Sequence, residues 1–174
     1  GVMLIDDQFA PLSDKIRAAV AQISDKPIRF LVNTHWHGDH TGGNEKFGEG
    51  GALIVAHENV RKRMSVEQIS KFFDSTTPAS PVSALPVVTF MDRVSFHMNG
   101  QEIQVIHFAN AHTDGDAVIR FTGSNTIHMG DIYFNGMYPF IDTESGGSVQ
   151  GVIAAIDEIL PGLDAGTKVI PGHG

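Results

Sequence analysis

The sequence predicts an α/β sandwich, two sheets packed together with helices on the outside. Three observations carry this. The first half of the chain alternates short apolar runs with amphipathic helical ones, and the second half holds closely spaced strand-like runs closed by one amphipathic helix. In addition, His35, His112, Asp131 and His173 each fall just past the end of an expected strand, where such a fold presents its functional loops.

Residues 2–5 read as a buried strand. The helix after it places Leu12, Ile16, Ala19, Val20 and Ile23 on one face, with Pro11 in its first turn, where a missing N–H has no partner to lose. Residues 28–32 form the next strand, His35 follows it, and Thr41-Gly42-Gly43-Asn44 opens a short helix ending near Gly48. A strand at 52–56 precedes a helix through Val60, Met64, Ile69, Phe72 and Phe73, broken near Ser65. Residues 75–86, with Pro78, Pro81 and Pro86 among Ser and Thr, have loop chemistry and make a candidate rim over a site.

Strands are then expected at 87–90, 93–97, 102–108, 117–121 and 126–129, with Asn99-Gly100 as a hairpin turn. A helix over 148–160 presents Val149, Val152, Ile153, Ile156, Ile159 and Leu160 to the core and stops at Pro161-Gly162. A last strand at 168–170 leads into Pro171-Gly172-His173.

With 174 residues, 41% of them hydrophobic, the chain has material for one substantial core, so a single domain over 1–174 is expected. It opens on Gly1 and an apolar run and ends one residue after His173, the look of a domain trimmed at both ends. A net charge of −8 argues against a surface built for polyanions, which excludes nucleic acid as a partner class. No apolar run approaches a membrane span, and no signal-peptide pattern opens the visible chain. Cysteine is absent, which excludes a Cys-rich metal site and leaves cytoplasm and periplasm both open.

The chemistry concentrates in His35-Trp36-His37-Gly38-Asp39-His40. His37 and Asp39, each two residues on from the ligand before, can turn inward from an extended loop while His40 faces the other side. Imidazole and carboxylate donors at about 2.0 to 2.2 Å suit zinc. His35, His37 and His112 would make one site; Asp39, His40 and His173 would make a second; Asp131 would bridge two ions about 3.5 to 4 Å apart. A hydroxide shared by two such ions, available because metals lower the pKa of water to roughly 7, is the expected nucleophile. An isolated His or Asp is ordinarily a solvated or hydrogen-bonded side chain, but three imidazoles and a carboxylate crowded on one loop stabilise nothing without a metal.

Other residues near these have two readings each. Trp36 is a candidate substrate wall or a seal between loop and core, and Phe134, Asn135, Tyr138 and Phe140 line a pocket mouth or enter the core. Tyr138 is a candidate donor to an oxyanion. Asp114 and Asp116 could orient the His112 ring or simply form the turn. His57, His97, His107 and His128 sit at strand or helix-start positions as packed or capping residues.

These segments resemble the metallo-β-lactamase superfamily: Thr34 to Asn44, Ala111-His112-Thr113-Asp114-Gly115-Asp116, Gly130-Asp131, and Pro171-Gly172-His173-Gly174, in order. The resemblance implies an αββα sandwich, two mixed sheets face to face with helices outside, and a dinuclear site at one edge. It also implies the ligand sets given above, with Asp131 at the bridging position. An Asp there matches members that act on thioesters, lactones and phosphodiesters, whereas zinc β-lactamases of the best-known type carry Cys.

The expected enzyme is therefore a two-zinc hydrolase, iron or manganese being alternative metals, that opens a carbonyl-type bond in a small molecule. Asp39, His112 and Asp131 are the expected catalytic residues, with Asp39 also placed to take a proton. A β-lactam amide leads; a glyoxalase II-like thioester or a lactone follows. The one cationic cluster, Arg61-Lys62-Arg63, reads as a solvated helix face, which disfavours phosphodiesters. A mononuclear iron dioxygenase is the alternative of another class.

Overall fold

The first three strands are joined through helices, and they pair in parallel. In the computed structural model, which describes residues 1–174, β1 (Val2–Ile5) and β3 (Leu53–His57) flank β2 (Ile28–Val32), both parallel to it. The sheet order is β1-β2-β3-β6, with β6 (Val88–Phe90) at the end of this half. By contacts the chain falls into two units, Gly1–Thr89 and Phe90–Gly174.

In the N-terminal unit a 3₁₀ turn at Ala10–Leu12 takes Pro11 and leads into α1 (Ser13–Ile23). Beyond β2 come two short helices, α2 (Gly38–Thr41) and α3 (Asn44–Glu49), and beyond β3 comes α4 (Glu58–Met64). Leu31, Phe47, Ala52 and Ile54 form one buried cluster against α3. A second unites Ala56 of β3, Val60 and Met64 of α4, and Ala84 and Leu85, with Trp36 packed on it.

The helix expected through Phe73 stops at Met64. Ser65 turns its hydroxyl back to the Arg61 carbonyl at 2.6 Å, and Asp74 is left-handed at φ 46°, which no helix tolerates. Residues 65–80 instead build a hairpin, β4 (Gln68–Ser70) antiparallel to β5 (Ser75–Thr77), so part of the expected rim is strand.

In the C-terminal unit the connections shorten and the pairing turns antiparallel. β7 (Arg93–Met98) and β8 (Gln101–His107) meet across Asn99-Gly100, both at positive φ (52° and 76°), as a tight two-residue hairpin requires. β9 (Ala117–Phe121) and β10 (Thr126–His128) continue the meander. α5 (Val149–Ile159), capped by Ser148 Oγ accepting from the Gly151 N–H, carries the chain to β11 (Lys168–Ile170), parallel to β10. The order is β11-β10-β9-β8-β7.

The core here holds Phe108, Ala111, Val118, Ile127, Met129, Ile132, Ala155 and Ile159, with Val152 and Ile156 half-buried against it. Val149, Ile153 and Leu160, expected inside, are 55–56% exposed, and Ile23 of α1 is 88% exposed. On α5 the apolar residues make two adjacent stripes, and the 152-155-156-159 stripe is the one that packs. No helix is long and apolar enough to cross a membrane.

Candidate metal centre

The N-terminal unit places four donors on the loop after β2 and on α2. His35 Nε2 lies 3.1 Å from His37 Nδ1, and His40 Nε2 lies 3.4 Å from Asp39 Oδ2. The His35 and His40 rings are 4.2 Å apart between centroids. The turn is short because Thr41 donates its hydroxyl back to the Trp36 and His37 carbonyls. Beneath it, Asn33 and Asn44 bond each other side chain to side chain, and Asn33 also donates to the His40 carbonyl.

Asp6, at the end of β1, organises this turn. Its Oδ1 accepts from the Thr34 N–H at 2.7 Å; its Oδ2 accepts from the Thr34 hydroxyl at 2.7 Å and from His40 Nδ1 at 2.8 Å. Since an ionised carboxylate only accepts, Nδ1 of His40 carries the proton and Nε2 the lone pair. Thr34 has spent its one proton on Asp6, so at 3.0 Å it accepts from His35 Nδ1, and the lone pair of His35 also falls on Nε2. One carboxylate thus sets two tautomers.

The C-terminal unit gathers its donors from three separated loops. Asp131 sits in a 3₁₀ turn after β10, and its Oδ2 lies 3.5 Å from His112 Nε2 and 3.3 Å from His173 Nε2. His112 Nδ1 donates to the Phe140 carbonyl at 2.7 Å, which again leaves the lone pair on Nε2. The His173 strand is tied to the Phe134 backbone, Asn135 N–H donating to the His173 carbonyl at 2.8 Å. Gly172 is required by close approach, because a Cβ there would overlap the Asp131 carboxylate.

Three buried imidazoles, His35, His40 and His112, therefore each give one nitrogen to an outer acceptor and offer the other beside a further His or Asp. This is the arrangement of metal-bound imidazoles, whose second ring N–H goes to a carboxylate, hydroxyl or carbonyl that fixes orientation. The donor set, imidazole nitrogens with carboxylate oxygens, fits a divalent metal of the zinc type. Asp6 and the Phe140 carbonyl are the functional groups that sequence reasoning missed. Asp6 had a visible signal, a carboxylate closing an apolar strand, whereas a carbonyl has none.

Around these donors, Trp36 packs on the Met64 cluster with its ring 5.0 Å from that of His37, so it both seals and faces a donor. Phe134 lies 4.7 Å from His173 ring to ring, Phe140 lies 6.1 Å from His112, and Tyr138 is 97% exposed. Asp116 spends both oxygens on Thr113, at 2.8 and 2.5 Å, and so builds the turn while Phe140 orients His112. Burial raises its pKa to about 7. His57 caps α4, His107 bonds the Asp116 carbonyl and His128 accepts from Gly130 N–H, as expected of packed and capping residues.

A model of the metallo-beta-lactamase superfamily matches residues 5–173, and the chain belongs to that superfamily. It is 27% identical over 139 residues to 2,4-dinitroanisole O-demethylase subunit alpha of Nocardioides sp. (strain JS1661), covering 78% of this chain and 39% of that protein. It is 27% identical over 165 residues to a hydroxyacylglutathione hydrolase of Polaromonas sp. (strain JS666 / ATCC BAA-500), covering 94% and 55%. The chain thus spans about half or less of these curated relatives.

Among solved structures, a metallo-beta-lactamase from Pontibacter korlensis superposes with TM-score 0.80 at 20% identity, over 100% of this chain and 75% of that one. One from Cronobacter sakazakii gives 0.76 at 22%, over 99% and 67%. The fold is the mixed α/β fold of these proteins, as the sequence predicts.

Proposed function

We propose that this chain is a dinuclear metal-dependent hydrolase of a carbonyl-type bond in a small molecule. In this reading His35, His37 and His112 would hold one ion and Asp39, His40 and His173 the other, with Asp131 as the carboxylate they would share. The observation that carries it is the outward locking of three buried imidazoles by Asp6, Thr34 and Phe140, which leaves three lone pairs preset. Zinc suits these donors, with iron and manganese as alternatives.

Bound ions would supply a water of lowered pKa and polarise the carbonyl oxygen. The chain's own residues do the rest. Asp39, 29% exposed where Asp131 is 4%, is the more accessible carboxylate and would take the proton released on attack. Trp36 lies beside His37, and Phe134 and Phe140 lie beside His173 and His112, so each of these donors has an aromatic ring next to it that would exclude water.

A β-lactam, a lactone and a thioester all fit this chemistry. The hydroxyacylglutathione hydrolase among the relatives supports the thioester. Against a polyanionic substrate, Arg120 and Lys168 are the only Lys or Arg after Arg93, and Arg120 is bonded to the Gly162 carbonyl. The test is metal analysis of protein purified without added zinc, followed by a panel of β-lactams, lactones and thioesters with and without chelator. Two ions per loaded chain and chelator-sensitive turnover are expected. Fewer than two ions would end the dinuclear reading, and iron with oxygen-dependent turnover would replace hydrolysis by dioxygenase chemistry.

A further inference from the structure

We propose that the β4–β5 hairpin is a binding arm for a long apolar acyl group, with Phe72 and Phe73 as its contact residues. The inference deepens the hydrolase reading above and rests on it. Val66, Ile69, Phe72 and Phe73 are 56%, 68%, 71% and 63% exposed, four large apolar side chains within eight residues. The two rings meet edge to face, centroids 4.8 Å apart at 89°. So much apolar surface on one short hairpin marks a binding element rather than scattered exposure.

Continuity with the donor loop identifies the occupant. The hairpin's root is fixed: Ser80 N–H donates to the Met64 carbonyl at 2.8 Å, and Gln68 exchanges hydrogen bonds with Arg63, through its carbonyl and its guanidinium. Met64 belongs to the buried cluster on which Trp36 packs, and the Trp36 ring lies 5.0 Å from that of His37. The hairpin's base thus attaches at Met64, in the same small cluster on which Trp36 of the donor turn packs, so a substrate reacting at His37 has the root of this apolar arm within one cluster of it.

Self-association through the arm is disfavoured by charge. Residues 61–77 carry Arg61, Lys62, Arg63 and Lys71 against Glu67 and Asp74, so two copies meeting arm to arm would bring a net excess of like charge together. An acyl chain meets no such repulsion, and Lys71 and the Arg stems can extend the apolar contact.

The experiment uses a series of acyl thioesters or esters of one leaving group, with chains of about four to ten carbons, on the wild type and on Phe72→Ser/Phe73→Ser. Both positions are solvent-exposed, so the variant folds; Ile23→Ser, on the exposed end of α1, is the control. In the wild type kcat/KM rises with length, by up to about fourfold per methylene at full burial. The double variant loses about tenfold or more of the long-over-short preference, chiefly through KM, and the control loses none.

A second readout needs no turnover. Trp36 is the chain's one tryptophan, and its fluorescence should respond saturably to decanoate, weakly to butyrate, and to neither in the double variant. Survival of the preference and the response in that variant overturns the proposal. So does an equal loss at every chain length, which is a structural role, or a change confined to sedimentation, which makes a second copy the occupant. If no acyl compound, β-lactam or lactone is turned over while the decanoate response still depends on the two rings, the arm stands and the hydrolase reading falls. Chelator-sensitive turnover indifferent to chain length does the reverse.

Discussion

The two units assemble their candidate metal donors in opposite ways. The N-terminal unit puts His35, His37, Asp39 and His40 on one turn and holds two of the rings through a single side chain, Asp6. The C-terminal unit draws His112, Asp131 and His173 from three loops and fixes them with main chain: the Phe140 carbonyl on His112, and the Phe134–His173 bridge. A dense cluster is set by side-chain chemistry and is open to substitution. A dispersed one is set by fold topology, and its weak point is the residue where the loops converge.

That residue is Asp131, whose Oδ2 both His112 and His173 approach. Asp131→Ala should therefore have the largest effect: activity down by more than the roughly 10- to 100-fold typical of outer partners, and fewer than two ions per chain by elemental analysis. His37→Ala, which leaves three donors on the N-terminal turn, should retain more metal. Equal metal loss in the two variants would erase the distinction between the units.

Next in size is the removal of what orients the rings. Asp6→Asn keeps the volume but replaces one acceptor oxygen by an NH₂, so its one oxygen cannot serve all three donors, and the NH₂ must face either the Thr34 N–H or the Thr34 hydroxyl and His40 together. Metal affinity should fall roughly 10- to 100-fold. Phe140→Leu leaves the carbonyl that holds His112 and should change affinity by less than about threefold. Competition with a chromogenic chelator measures both. If Phe140→Leu proved as costly as Asp6→Asn, orientation by main chain would not describe the C-terminal unit.

The same contrast decides what the sequence reveals. The strands at 2–5, 28–32, 117–121 and 168–170 were legible, as was the Asn99-Gly100 turn, because period and turn chemistry are local. The dense His-x-His-x-Asp-His run was legible as a set of side chains able to hold metal for the same reason. Residues 66–73 were not: Val60, Met64, Ile69 and Phe73 share a helical spacing, but Ser65 ends α4 and a left-handed Asp74 turns the chain back. Exposure of Val149, Ile153 and Leu160 was not legible either, since two adjacent apolar stripes on one helix look alike until one is packed.

The smallest effect should come from Asp7, beside Asp6 but turned inward. Its Oδ1 accepts from the Gly43 N–H at 2.9 Å, and burial, reinforced by Asp6 and opposed by that hydrogen bond and by His40, raises its pKa to about 8. Between about pH 4 and 8 the folded chain then holds a proton that the unfolded chain has released. More protons bound in the native state means that stability falls as pH rises across this window, by at most about 1.4 kcal/mol per pH unit. Asp7→Asn keeps an oxygen for Gly43 and cannot ionise, so it should remove that slope. Urea midpoints of metal-free protein at pH 5 and 8 should show the wild type losing ground to the variant at the higher pH. Parallel behaviour would mean that Asp7 is ionised in the fold, and that the carboxylates at the end of β1 act together rather than as one acceptor and one buried acid.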